Sequence, residues 1–156
     1  LPELLSELRV ASDPAEAKRI AREVRLEWSK SGSAAMDLLL KRGRDALEQQ
    51  NFAEAIEHFT ALTDHAPEFS EGWHGRASAY FHAGIYGPAV ADLERVLTLN
   101  PEHFEAIRGL AVILEKLERM PDAYEAYTQV LVLHPHHESA MEAIQRLKTT
   151  VKGQEL

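Results

Sequence analysis

Three prolines of this chain recur at a fixed step: Pro101 lies 34 residues after Pro67, and Pro135 lies 34 residues after Pro101. Small residues keep the same step in two columns, Gly43, Ala77, Ala111 and Ala55, Ala89, Ala123. A period of this length predicts a solenoid, in which each repeat is one supersecondary unit and stacked repeats share a core. Two helices cross closely only where their side chains are small, so the columns predict one close helix crossing in every unit.

Apolar residues inside each unit follow the spacing of α-helices. The second unit shows this in two stripes, Trp73, Ala77, Tyr80 and then Ala89, Leu93, Val96. Helix breakers separate the two helices of each unit at Gln50-Asn51, Gly84 to Pro88 and Arg119 to Pro121. Asn100-Pro101 and His134-Pro135 end the second helix, because the residue before a proline disfavours helical backbone. Each unit is therefore predicted to be helix, turn, helix.

These columns resemble the tetratricopeptide repeat, a 34-residue helical unit that closes on a proline. The resemblance covers residues 36 to 137. Trp73 matches the family pattern, whereas Leu39 and Ile107 stand where the pattern most often has Trp. The resemblance implies an all-α, right-handed superhelical solenoid of antiparallel helix pairs, with a leading helix pair and a C-terminal capping helix.

We expect a single domain over residues 1–156. Its parts in chain order are a degenerate leading helix pair (2–33), three repeats (36–69, 70–103 and 104–137) and a capping helix (138–151). Asp13-Pro14 predicts the start of the second leading helix, because Asp is a good N-cap and Pro suits the first helical position. The leading pair is expected to pack on the first repeat. Ala140, Ile144 and Leu147 give the capping helix one apolar stripe, with which it closes the last repeat.

Composition excludes several classes of site. The chain contains no cysteine, which rules out disulfides and every site built on a thiolate. Its formal net charge of -8 predicts repulsion from phosphate backbones and anionic membrane surfaces, so nucleic acid is not an expected partner. No apolar run approaches the ~20 residues that span a bilayer, and membrane insertion is not expected.

Two segments carry a finer resemblance. Trp28 to Ser33 and Glu71 to Ala77 are similar to a group of short bacterial tetratricopeptide proteins with no assigned activity. Many members of that group look exported. The first residue is Leu1 and not Met, which indicates that the N-terminus has been cut. Together these features favour a periplasmic or exported location, with the cytoplasm as the alternative.

No pattern in the chain predicts catalysis. It has neither a Gly-x-Ser-x-Gly elbow nor a glycine loop that could cradle phosphate, so neither an enzyme nor a cofactor is expected. An acidic column, Asp37, Glu71 and Glu105, falls in the first turn of each first helix. Negative charge is favoured there by the helix dipole, and we attribute the column to local stabilisation.

The eight histidines do not predict a metal site. The segment from His134 to His137 is interpreted as a solvated turn without a carboxylate at ligand spacing. His74 and His82 lie on one helical face but ~12 Å apart along the axis, too far to share an ion. No metal ligand is therefore assigned.

In proteins that this chain resembles, the first helix of each unit lines a concave groove that holds a ligand. Carried over to this sequence, that face consists of Leu40, Arg44, Leu47, His74, Ser78, Phe81, His82, Arg108, Val112 and Glu115. Apolar residues beside arginines on one exposed face indicate a contact surface. The carboxylate clamp of some relatives is not reproduced, because Leu40 and Arg44 stand where Lys and Asn would. The alternative is that the leading or capping helices cover this face.

These features favour an adaptor or scaffold that binds a peptide or protein segment in the groove. Phe81 and Leu40 are predicted to be its apolar anchors, and Arg44 and Arg108 are predicted to recognise charge on the partner. A second hypothesis is a structural protomer that self-associates into a homo-oligomer through its end helices. A third is a carrier of a metal or small ligand on the histidines. Light scattering and partner capture separate the first two.

Overall fold

The computed structural model describes residues 1–155, with side chains up to residue 151. Over that range the chain forms nine α-helices and no strand. Their bounds are α1 Pro2–Arg9, α2 Pro14–Trp28, α3 Ala34–Glu48, α4 Phe52–His65, α5 Ser70–His82, α6 Tyr86–Leu99, α7 Phe104–Lys116, α8 Met120–Leu133 and α9 Glu138–Glu155. The predicted all-α class, with a leading helix pair, three repeated pairs and a final helix, is confirmed.

The chain divides into two compact units. One contains residues 28–103, in which α3 packs on α4, α4 on α5, and α5 on α6. The other contains residues 1–27 together with the chain from residue 104 onward, in which α7 packs on α8, α8 on α9, and α1 on α8. Within this unit α1 contacts α8, and the packing of the leading pair on the first repeat stays a prediction. The imidazole Nε2 of His136 adds a 2.9 Å contact to the Ala11 carbonyl. The expectation of one domain over residues 1–156 stays a prediction.

Side chains of Asp13, Ser33 and Asn51 cap the starts of α2, α3 and α4. Asp13 accepts a hydrogen bond from the Glu16 backbone N–H at 2.8 Å, which confirms the predicted cap of α2. The predicted breakers are too long at two turns, because Pro88 and Pro121 lie in the first turns of α6 and α8. Proline is tolerated there, since the first N–H groups of a helix have no internal partner. The last helix also runs beyond the predicted end at Val151.

The small columns mark the helix crossings as predicted. Ala55, Ala89 and Ala123 have no exposed surface. The ring of Phe59, fully buried, lies against the backbone of both Gly43 and Gly75, where an added Cβ would come within 2.4 Å of a ring carbon. This close approach fixes how α3, α4 and α5 pack.

Within the described residues, no helix combines the length and the apolar character that a membrane span needs.

Candidate functional site: the α3–α5 face and its polar cluster

Five of the predicted groove residues lie on the first helices of two successive repeats, and each keeps part of its surface exposed. We call this set the α3–α5 face, and it consists of Arg44, Leu47, Ser78, Phe81 and His82. Arg44 and His82 are exposed, and the other three are half-buried. All five belong to the unit of residues 28–103.

Leu40 does not belong to this face, and its prediction as an exposed apolar anchor is wrong. Its side chain is 3% exposed and lies in a core cluster with Phe59 and Leu62 of α4. Leu47 packs against the same cluster but keeps part of its surface. Leucine burial stabilises the helix pair, so Leu40 contributes to folding and not to a contact surface.

Aromatic rings dominate the end of the α3–α5 face near the α5–α6 turn. The ring of Phe81 lies 5.7 Å from that of Tyr86 and 5.3 Å edge-on from the imidazole of His82. His82 also stacks near Phe52, with centroids 5.8 Å apart. These distances fall in the range of favourable ring pairs, so the rings hold Phe81 in place while one side stays accessible.

The charge of Arg44 is already engaged. Its guanidinium donates to the Ser29 hydroxyl at 3.0 Å and to Oε1 of Glu71 at 3.3 Å. The Arg44 side chain is nevertheless 45% exposed, so a ligand can reach it. The carboxylate of Glu71 is only 4% exposed, so the pair joins a buried acid to an arginine that still reaches solvent.

A buried polar cluster lies at the start of α5. Oε2 of Glu71 is 2.9 Å from Nε2 of His103 and 3.4 Å from Nδ1 of His74. The indole of Trp28 stacks on the His103 ring, with centroids 4.2 Å apart. Burial opposes ionisation of the Glu71 carboxyl, but the charges and hydrogen bonds of His74 and His103 outweigh it and lower its pKa far below the usual range. The sequence-based interpretation explained Glu71 by the helix dipole alone and did not include these two histidine partners.

The third repeat contains an equivalent Glu–His contact. Nε2 of His137 lies 2.9 Å from Oε1 of Glu105, as His103 does from Glu71 one repeat earlier. Arg108 occupies the position of His74 and donates to Glu105 at 3.3 Å. The contact therefore recurs with the repeat, whereas the second imidazole is present only in the earlier copy.

The remaining predicted groove residues, Arg108, Val112 and Glu115, are half-buried and lie in the other unit. Glu115 accepts hydrogen bonds from the Tyr127 hydroxyl at 2.6 Å and from Arg146 of α9. The hydrogen bond from Arg146 is the main cause that lowers the Glu115 pKa. Glu115 thus joins the last helix to its repeat.

The histidine turn before α9 is only partly exposed, and its first histidine is buried, which corrects the interpretation as a solvated turn. His134 is 6% exposed, and its Nδ1 has no hydrogen-bond partner in the described part of the chain. Burial lowers the pKa of His134 to about 4, with the charge of His137 adding to the effect. His137 accepts a hydrogen bond from the Ala140 backbone N–H at 3.2 Å and so caps α9.

Sequence reasoning missed Trp28, His103 and the ion pair between Arg76 and Asp92. Arg76 donates to both carboxylate oxygens of Asp92, at 2.8 and 2.9 Å, with both side chains largely buried. The spacing Glu71-Gly-Trp-His74 was one available signal, because residues three apart share a helix face. His103 lies 32 residues after Glu71, and no local pattern joins the two.

Comparison with known proteins agrees with this architecture. The tetratricopeptide-repeat family model matches residues 40–87 and 86–138. The chain belongs to the tetratricopeptide-repeat family.

Relatives and solved structures of this family are similar to much of the chain. A TPR repeat-containing protein of Rhizobium etli is 33% identical over 153 residues, which cover 98% of this chain and 75% of that protein. Human tetratricopeptide repeat protein 13 is 32% identical over 89 residues, 54% of this chain and only 10% of the human protein. The first TPR of Spaghetti (RPAP3), solved with the HSP90 peptide SRMEEVD, superposes with a TM-score of 0.71 at 24% identity, covering 75% of this chain and 93% of that one.

Proposed function

We propose that this protein is a non-catalytic interaction module that binds a segment of a protein partner on the α3–α5 face. The observation that carries the proposal is Phe81, an aromatic side chain held in place by Tyr86 and His82 yet left half-exposed. Aromatic residues of this kind are the usual anchors of protein interfaces, because they bury a large area with little loss of conformational freedom.

The residues around Phe81 indicate the chemistry of the partner segment that would bind there. Leu47 adds apolar surface on α3, and Ser78 lies one turn before Phe81 on α5. Arg44 supplies positive charge to a protein whose net charge is -8. Arg44 is already hydrogen-bonded to Glu71, so we infer that apolar contact provides most of the affinity. Arg44 would then set a preference for a partner segment with an acidic residue beside a bulky apolar residue.

The HSP90 peptide that binds the first TPR of Spaghetti is not the expected ligand of this chain. Capture of a terminal carboxylate by a clamp needs free donors, and here Leu40 is buried while Arg44 is paired. We therefore expect the peptide SRMEEVD to bind this chain with a dissociation constant no tighter than ~100 μM. An internal segment with a bulky residue is the better candidate.

Affinity capture from source cells tests the proposal. The wild-type chain, a Phe81→Ala variant and a Leu38→Ala variant serve as baits, and captured proteins are identified by mass spectrometry. Leu38 is a matched control because it is 46% exposed and lies on α3 nine residues before Leu47, on the opposite side of that helix. Circular dichroism verifies that each bait is folded.

The proposal predicts one set of proteins captured by wild type and by Leu38→Ala and reduced about tenfold with Phe81→Ala, which corresponds to ~1.4 kcal/mol. Equal capture by all three baits would place the binding surface elsewhere. Concentration-dependent mass in light scattering, unaffected by Phe81→Ala and without any captured partner, would favour the self-associating protomer instead.

A further inference from the structure

The polar cluster at the start of α5 brings together three side chains that ligate metals. Glu71 and His74 lie one turn apart on α5, and His103 lies immediately before α7. One donor atom from each lies within 4.8 Å of the other two. Among the residues that the structure describes, no other group of three such side chains meets this condition.

The donor set matches known metal sites. Two imidazoles and one carboxylate are the ligands of several catalytic zinc centres and of non-haem iron. A tetrahedral Zn²⁺ ion with bonds of about 2.0 to 2.1 Å requires donor atoms about 3.3 to 3.4 Å apart. The distances from Glu71 Oε2 are 2.9 Å to His103 Nε2 and 3.4 Å to His74 Nδ1, and the imidazole donors lie within 4.8 Å of each other. Binding therefore requires His103 to move away from Glu71 and both imidazoles to adopt the spacing that the ion sets.

Neighbouring residues orient the donors as outer partners of metal ligands do. The Trp28 indole lies nearly parallel to the His103 imidazole, at 17°, and fixes the plane of that ring. Arg44 donates to Oε1 of Glu71, whereas both imidazoles face Oε2. His74 is the donor that solvent reaches, since its side chain is 23% exposed while those of Glu71 and His103 are 4% and 1%.

Comparison with the third repeat distinguishes the structural role of the Glu–His contact from a metal-binding role of His74. There the pair Glu105 and His137 keeps the 2.9 Å contact, and Arg108 replaces the second imidazole. A Glu–His contact alone therefore suffices to join these segments of the repeat. This contact does not need the second imidazole that His74 places on the same carboxylate oxygen. In the third repeat the equivalent residue is an arginine, which cannot lose its proton to become a metal ligand.

We propose that Glu71, His74 and His103 form a binding site for one divalent transition-metal ion, with Zn²⁺ the best match to the donors. The hard cations Mg²⁺ and Ca²⁺ prefer sets of oxygen ligands and should not bind there. This inference does not rest on the proposed partner binding, although Arg44 of the α3–α5 face contacts Glu71, and it revises the sequence-based expectation of no metal ligand.

Calorimetric titration of the full chain, stripped of metal with a chelator, tests the site with ZnCl₂ as the probe. We expect one equivalent to bind with a dissociation constant below ~1 μM and to raise the melting temperature. A His74→Arg variant reproduces the arrangement that Glu105, Arg108 and His137 already adopt, so it should fold and bind zinc at least ~100-fold more weakly. His82→Gln, which removes a histidine two turns further along α5, and His136→Gln should bind as wild type does.

Cobalt absorption provides a second readout. A four-coordinate Co²⁺ ion with histidine ligands gives intense visible bands, which should appear with wild type and His82→Gln and be absent with His74→Arg. Absence of tight, one-equivalent zinc binding to wild type would overturn the proposal whatever the variants do. So would equal loss of binding with His82→Gln or His136→Gln, or retention of it with His74→Arg, since each would place the ion elsewhere.

Discussion

The guanidinium of Arg76 forms two hydrogen bonds with the carboxylate of Asp92, at 2.8 and 2.9 Å, and joins α5 to α6 beneath the surface of the second repeat. The same guanidinium lies 5.1 Å from the centre of the Trp73 ring. Trp73 itself donates to the Pro67 carbonyl at 2.9 Å. Trp73 thus connects the proline turn at Pro67 to the buried ion pair of Arg76 and Asp92.

Removal of Asp92 alone should destabilise the chain strongly. Asp92→Ala leaves Arg76 largely buried without its carboxylate, at an expected cost of ~3 to 5 kcal/mol in the free energy of unfolding. Asp45→Ala, which breaks the exposed pair with Lys41, should cost less than ~1 kcal/mol. Urea unfolding of both variants checks this, and similar midpoints for the two would contradict the importance of the buried pair.

The close packing on Phe59 predicts opposite effects for two glycine substitutions. Gly75→Ala places a methyl group against the buried Phe59 ring and should cost ~1 to 3 kcal/mol or more. Gly87→Ala, in the first turn of α6, meets no atom within 4 Å and should stabilise by up to ~1 kcal/mol. Thermal unfolding measures both. Equal melting temperatures for the two variants would mean that the helices do not approach as closely as described.

A turn position that recurs with the repeat carries measurable strain. Gln50, Gly84 and Glu118 follow the first helix of each pair, and all three have left-handed backbone, with φ of 61°, 79° and 60°. Glycine adopts this conformation at no steric cost, whereas a residue with a side chain is strained in it. Gln50→Gly should therefore stabilise by ~0.5 to 1 kcal/mol, and Gly84→Ala should destabilise by ~1 kcal/mol. Chemical denaturation with opposite signs for the two variants supports the shared geometry, whereas equal signs would contradict it.

Acid should destabilise the fold through His134. Its pKa is lowered from 6.5 to about 4, chiefly by burial and then by His137, while Glu105 opposes the shift. Between these two values the unfolded chain binds a proton that the folded chain does not, so stability falls as pH falls through that window. His134→Leu should reduce the drop in melting temperature between about pH 7 and about pH 4.5, and the exposed-site control His65→Gln should not. An unchanged drop in His134→Leu would show that other groups cause it.

The sequence predicted the repeat because its signal is local and periodic. Small residues that recur at a step of 34, such as Ala55 and Ala89, locate the helix crossings even when the contacts between helices are not known. Caps such as Asp13 were equally accessible, since the residue that bonds to them lies within one helical turn. Both kinds of inference depend only on short segments.

The site was predicted less well because it depends on which helices meet. Leu40 has the helical position of a groove residue, but its burial depends on α4, which the family pattern does not encode. The partners of Glu71 lie on three segments, and His103, on which Trp28 stacks, reaches it only through the tertiary fold. The spacing of Glu71 and His74 was visible in the sequence, whereas the third donor was not.

Nuclear magnetic resonance can map directly whether a partner segment binds the α3–α5 face. An isotope-labelled chain is titrated with the captured partner segment, and the shifts of backbone and side-chain signals are followed. We expect the largest changes at Arg44, Leu47 and Phe81, with little change at Leu38 on the opposite side of α3. Changes concentrated on Leu38 and the outer faces of the helices, with Phe81 unaffected, would contradict it.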